Sequence, residues 1–237
     1  MRRTDSLGAG RNLTYAMLDT VGKAIVTGHY DAAGFPTEGD LARQFAVSRS
    51  VTREAVKMLT AKGLLAARPR KGTSVQPAET WNLFDPDVLR WMLERKFSLD
   101  LLRQFTELRI AIEPVAAALA AKAADADAIA RIAAGYERMA AAEVGDDDAL
   151  EADIAFHIAI LEASRNPFYA QFRDVVSTAL RTSIRFTNRF KGRTASLPHH
   201  HAVLAAIEAR DADRARAEMA RLIDEVVTLI AQAEHAE

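Results

Sequence analysis

From Leu99 onward the apolar residues recur three or four positions apart, and nowhere do they alternate with polar residues in the period of two that marks a strand. Alanine is used heavily and the β-branched residues are scattered, so backbone preference agrees with the pattern. Helical segments are expected at about 99–123, 126–143, 148–164, 167–190, 199–209 and 212–233. The breaks carry helix punctuation: Asp125, the acidic run ending at Asp148, Asn166-Pro167, "KGRTASLP" and Asp211. Pro114 falls inside the first segment and is expected to kink it. Such helices can bury their apolar stripes only against one another, which predicts an antiparallel α-helical bundle over residues 98–234.

The front of the chain reads differently. A first helix is expected from about Asn12 to Thr27, with Leu18, Val21 and Ile25 on one face and Gly28 at its end. A second is expected over Thr37–Phe45, opened by Thr37 and Asp40 as a capping pair. "AVS" then makes a turn, Ser48 caps a third helix, and Gly63 ends it. In that third helix Arg49, Arg53 and Lys57 form a basic stripe, while Val51, Ala55 and Leu59 repeat on roughly the opposite side. "LLAARPRKGTSVQP" reads as two short strands around a basic tip, a β-hairpin wing. Residues 1–80 hold 12 Lys and Arg against 7 Asp and Glu, whereas residues 81–237 hold 19 against 25. A basic module joined to an acidic one suits a nucleic-acid binder with a different partner behind it.

This order is that of a winged helix-turn-helix, whose recognition helix enters the major groove. Arg49 and Arg53 can bond guanine edges or phosphates. Ser48 and Ser50, near the helix N-terminus, suit phosphate or base contacts, and Thr37 is counted with them. Arg70, Lys71 and the backbone at Gly72 are placed to enter the adjacent minor groove. The plain alternative is a solvated basic face. The stretch "FPTEGDLARQFAVSRSVTREAVKMLTAKGLLAARPRKGTSV" closely resembles the N-terminal domain of GntR-family bacterial transcription regulators, over about residues 11–77. The resemblance implies that Ser48, Arg49, Arg53 and Gly72 contact double-stranded operator DNA. Many members carry an arginine where this chain has Gly39, which implies an operator that departs from the commonest one.

Residues 78–97 connect the two halves, with a short helix started by Asp85-Pro86. Trp81 and Trp91 are expected to pin this connector against the two domains by packing.

"ALEADIAFHIAILEAS" places Asp153 and His157 four residues apart on an otherwise apolar helix, hence on one face. "PHHHAVLAAI" sets His200 one turn before Leu204, where it can point inward, with His199 and His201 turned to solvent or capping. An aspartate and two histidines suit zinc, nickel, manganese or iron. The alternative is a buried Asp153–His157 pair with an incidental histidine run. Arg109, on the apolar first helix, needs a partner, for which Glu113 and Glu107 are the local candidates.

"ELRIAIEP", "DIAFHIAILEASRNP" and "HHAVLAAIEARDAD" resemble the FCD-type effector domain of the FadR subgroup of the same family, over about residues 98–232. That resemblance implies a divalent metal, zinc foremost, held by Asp153, His157 and His200, with the family's fourth ligand falling on Leu222. Water or an effector oxygen would complete the shell; a weakly held metal or an organic anion alone are the other readings. It also implies that Arg109 lines the effector pocket, where a guanidinium can grip a carboxylate. Arg181 and Arg185 could add charge, and Asn166 caps its helix with a secondary role toward the ligand. "WNLFDPDVLRWMLE" together with the Asp153 stretch looks like regulators of sugar-acid catabolism. The implied effector is a small carboxylate such as galactonate, with dicarboxylates, lactate or a glycolate-like acid as alternatives. The implied assembly is a homodimer released from its operator by that acid.

There is no cysteine, so disulfides and thiolate metal sites are excluded. No run approaches the ~18 apolar residues that span a membrane, and "MRRTDSLGAG" lacks the apolar stretch of a secretory signal, which predicts a cytoplasmic protein. A metal hydrolase is the competing class, but no general base accompanies the ligands and a winged domain precedes them, so no enzyme is expected.

Overall fold

The computed structural model describes residues 5–31, 34–68, 72–96, 98–190 and 196–234. Two compact units divide the chain, Met1–Lys96 and Phe97–Glu237. In the first, α1 (Asp5–Val26) starts earlier than expected and ends ahead of Gly28, whose φ of +82° only glycine adopts freely. Helix α2 (Glu38–Gln44) is opened by a full capping box: the Asp40 N–H donates to Thr37 Oγ1 at 3.2 Å and the Thr37 N–H to Asp40 Oδ2 at 3.3 Å. Helix α3 (Arg49–Ala61) is capped by Ser48, whose Oγ accepts the Val51 N–H at 3.3 Å. Strands β1 (Leu65–Arg68) and β2 (Gly72–Val75) pair antiparallel, Leu65 opposite Val75.

The packed face of α3 is Thr52, Ala55, Val56 and Leu59, all buried, while Val51 is only half-buried. A stripe at i, i+3, i+4 and i+7 follows the 3.6-residue turn, whereas one drawn strictly every fourth residue drifts around the helix. The connector folds with the winged helices. Helix α4 (Pro86–Met92), capped by Asp85, docks on α1, where buried Trp91 lies over Gly22 and donates its indole N–H to Asp19 at 2.8 Å. Trp81 donates to the Gln76 carbonyl at 3.0 Å, so both indole N–H groups are used inside the first unit. Lys62, just past α3, lies 2.7 Å from Asp85 and 2.9 Å from Asp87, clamping the end of α3 to the start of α4.

The second unit is a helical bundle: α5 (Leu99–Ala123), α6 (Ala126–Glu143), α7 (Ala149–Ala163), the short α8 (Pro167–Ala170), α9 (Arg173–Phe190), α10 (Leu197–Glu208) and α11 (Ala212–Glu234). Ser98, Asp125, Asp148 and Asn166 cap α5, α6, α7 and α8, each accepting a backbone N–H two or three residues on. The expected helix over 167–190 is divided, because the Phe172 N–H closes a tight turn onto the Tyr169 carbonyl at 3.0 Å. Pro114 lies within α5 without ending it. Helix α5 packs along α11, α6 along α7, and α10 against α11, α6 and α5. Small residues set these distances. A Cβ at Gly135 would sit 2.8 Å from the Phe156 Cα, and Ala116, Ala117, Ala120 and Ala121 are fully buried on α5. The core, built on Ile132, Phe156, Ile160, Val203, Ile207 and Ile223, is shared by α6, α7, α10 and α11. Among the described residues no helix is long and apolar enough to cross a membrane.

Candidate metal and effector centre

Asp153 and His157 leave α7 one turn apart, and His200 leaves α10 toward them; they are 5%, 2% and 2% exposed. One ligating atom from each lies within 4.8 Å of the other two. The Asp153 Oδ1 is 3.0 Å from His200 Nε2 and 3.6 Å from His157 Nε2.

The far side of each ring decides what faces inward. His200 Nδ1 lies 2.8 Å from the Ser196 carbonyl oxygen, which can only accept, so Nδ1 carries the proton. His157 Nδ1 lies 2.5 Å from Glu113 Oε2, and an ionised carboxylate likewise only accepts. In the neutral rings both Nε2 atoms therefore present lone pairs to the Asp153 oxygen. Three acceptors converge with no donor between them. Although His200 Nε2 is near Asp153, it makes no hydrogen bond, and it is the buried side-chain nitrogen left without a partner among the described residues. A divalent cation satisfies such a set directly, and the group could hold one. The pairing left open by sequence is thus settled differently: the close partner of His157 is Glu113, not Asp153.

Glu113, on α5, is 1% exposed and grips two groups at once. Besides His157 it takes Arg109, with Nε to Oε1 at 2.5 Å and Nη2 to Oε2 at 3.4 Å. Burial disfavours its charged form, but the Arg109 guanidinium and the His157 ring, each hydrogen-bonded to it, outweigh that and bring its pKa from 4.5 to about 2. Asp153 is also held below its ordinary value: burial raises it, while the flanking His200 and His157 rings and the Arg109 charge overcome that.

Arg109, Asp153, His157 and His200, but not Glu113, line a cavity of about 890 Å³. These four form its buried end, and Leu222, 7% exposed, puts hydrocarbon there too. Two candidates are not brought to it. Asn166 caps α8 through the Phe168 N–H at 3.0 Å, and Arg181 pairs with Glu151 at 2.6 Å; neither is a lining residue. The side chain of Arg185 lies outside the described residues. His199 pairs with Glu225 at 2.9 Å, and His201 is exposed beside Tyr136.

On the first unit Arg49, Ser50, Arg53 and Lys57 are exposed along α3, and Ser48 sits at its N-terminus. Thr37 Oγ1 is engaged with Asp40 at 2.6 Å. Gly72 starts β2 with φ +80°, which favours glycine. Arg70 and Lys71 lie outside the described residues.

The family model of bacterial regulatory proteins of the gntR family matches residues 19–75, and that of the FCD domain matches residues 104–225. The chain belongs to the GntR family. This GntR-family chain is 35% identical to the uncharacterized HTH-type transcriptional regulator YieP of Escherichia coli (strain K12), covering 88% of this chain and 91% of that protein. It is 34% identical to the galactonate operon transcriptional repressor of the same organism, covering 86% and 90%. Among solved structures it is similar to E. coli McbR/YncC, with a TM-score of 0.53 and 18% identity over 94% of this chain and 98% of that one, a likeness of fold. The GntR-family chain is accordingly a DNA-binding transcriptional regulator with an FCD effector domain, and not an enzyme.

Sequence reasoning named Glu113 only as a partner for Arg109, and it did not single out Ser196 at all. The cue for Glu113 was its place one turn from Arg109 on an apolar helix. For a backbone carbonyl such as that of Ser196 no residue-type signal exists.

Proposed function

We propose that this regulator represses a sugar-acid catabolic operon and leaves its operator when it binds a small carboxylate such as galactonate. In this reading residues 11–77 bind operator DNA, and residues 98–234 bind the effector and join two copies into a homodimer. The observation that carries it is the unpartnered His200 Nε2 facing Asp153 and His157 at the buried end of a cavity of about 890 Å³. Asp153, His157 and His200 would hold the metal, zinc foremost. Bound there, the metal would supply Lewis-acidic positions for a carboxylate and an α-hydroxyl, which three protein ligands leave open. Glu113 and the Ser196 carbonyl fix the two imidazoles in the ligating tautomer, and Arg109 offers charge beside them. Similarity to the galactonate operon repressor supports this class of acid. On the first unit Arg49, Arg53, Ser48 and Ser50 meet bases and phosphates, with Thr37 and Gly72 at the edges. Release requires that the acid bind the DNA-free arrangement better than the DNA-bound one.

The test is a thermal-shift screen of aldonates, uronates, dicarboxylates, lactate and glycolate, each with and without EDTA, followed by operator gel shifts with any acid that stabilises. At a hundredfold excess over Kd a ligand adds about 2.7 kcal/mol. A shift with galactonate that EDTA abolishes, and that coincides with operator release, is expected. Stabilisation by no acid would refute the effector assignment.

A further inference from the structure

Helix α11 presents two stripes to the cavity. Leu222, Val226 and Leu229 make an apolar one; Glu225, Thr228 and Gln232, three and four residues apart, make a polar one. Ser183 of α9 lines the same cavity and is 6% exposed. Its hydroxyl can both donate and accept, so it can meet a hydroxyl of a bound ligand. We propose that the polar stripe Glu225–Thr228–Gln232, with Ser183, reads the hydroxyl groups along the effector's carbon chain and sets the regulator's specificity. This deepens the sugar-acid reading and rests on it.

The chemistry of each group fits a hydroxyl. Glu225 engages His199 through one oxygen at 2.9 Å, leaving its other oxygen, which can only accept. Thr228 donates its own proton to the Asp224 carbonyl at 3.0 Å, so its remaining capacity is also as an acceptor. Two acceptors one turn apart call for donors from the ligand, and hydroxyls supply donors where an alkyl chain has none. The side chain of Gln232 offers both roles. At 1.5 Å rise per residue the stripe runs for about 10 Å, enough to lie beside a six-carbon chain whose carboxylate reaches the buried end. Lactate, with the same α-hydroxycarboxylate and three carbons, would occupy that end without reaching the stripe.

Calorimetric titration of the full-length protein with galactonate and with lactate tests this, comparing wild type with Thr228→Val/Gln232→Leu and with Ser183→Ala. Thr228 and Gln232 are exposed, so the double variant is expected to fold and melt as wild type does. Wild type should bind galactonate at least tenfold tighter than lactate. The double variant should lose about tenfold or more in galactonate affinity and less than about twofold in lactate affinity, with Ser183→Ala changing affinities in the same sense. Equal wild-type affinities for the two acids, or losses equal for both in the variants, would overturn the stripe's role alone. Binding of neither acid by wild type would overturn the sugar-acid reading together with it.

Discussion

Replacing Glu113 by glutamine keeps the side chain's shape and removes its charge from beneath both Arg109 and His157. Each tenfold change in proton affinity is worth about 1.4 kcal/mol, so a carboxyl whose pKa falls from 4.5 to about 2 on folding stabilises the folded state by roughly 3 kcal/mol at neutral pH. The group is almost wholly buried, so solvent screening removes little of this. Breaking a buried pair from one side costs about 3–5 kcal/mol in general, because the surviving Arg109 charge is left uncompensated. The two figures agree. Because the folded value is the lower one, the contribution is complete above pH 4.5 and is lost as the pH falls toward 2. Linkage places it at about 2 kcal/mol by pH 3.5. Urea unfolding of Glu113→Gln against wild type, followed by far-UV circular dichroism in EDTA, should show a deficit of about 3 kcal/mol at pH 7. The deficit should shrink by about a third or more at pH 3.5. In melting temperature the pH 7 loss corresponds to about 6–12 °C. A deficit under about 1 kcal/mol at pH 7, or one equal at both pH values, would refute the assignment of Glu113 as the ionised anchor.

Gly22→Ala would drive a Cβ into the Trp91 ring and should destabilise the first unit by about 1–3 kcal/mol, read by tryptophan fluorescence during unfolding. Arg49→Ala touches an exposed side chain, so melting should be unchanged while operator affinity falls about tenfold or more, with the salt dependence of binding flattened by about one ion. If titration with added operator gave the wild-type affinity, α3 would not be the reading helix.

Much of the helical architecture was legible because its signals act within one turn. Asp85, Asp125, Asp148 and Asn166 each satisfy an N–H two or three residues on, so their role is written in the adjacent sequence and needs no tertiary partner. Asp153 and His157 were placed together for the same reason, being one helical turn apart. The turn that splits α8 from α9 is not legible in the sequence, since the tertiary path of the chain decides whether a helical pattern continues through Gln171 and Phe172. The buried face of α3 takes in Thr52 and Val56 rather than Val51, because the 3.6-residue turn carries a stripe of strictly every fourth residue around the helix.

Local chain chemistry determined which segments are helical, where they begin, and which side chains share a face. Only the packing of α5, α7 and α10 decided that Glu113, 44 residues before His157, holds that ring, and that a backbone carbonyl at Ser196 sets the tautomer of His200. Those contacts join elements far apart in sequence through a close-packed core. No spacing rule within one helix specifies them, because they depend on how neighbouring helices pack and how close their small residues let them come.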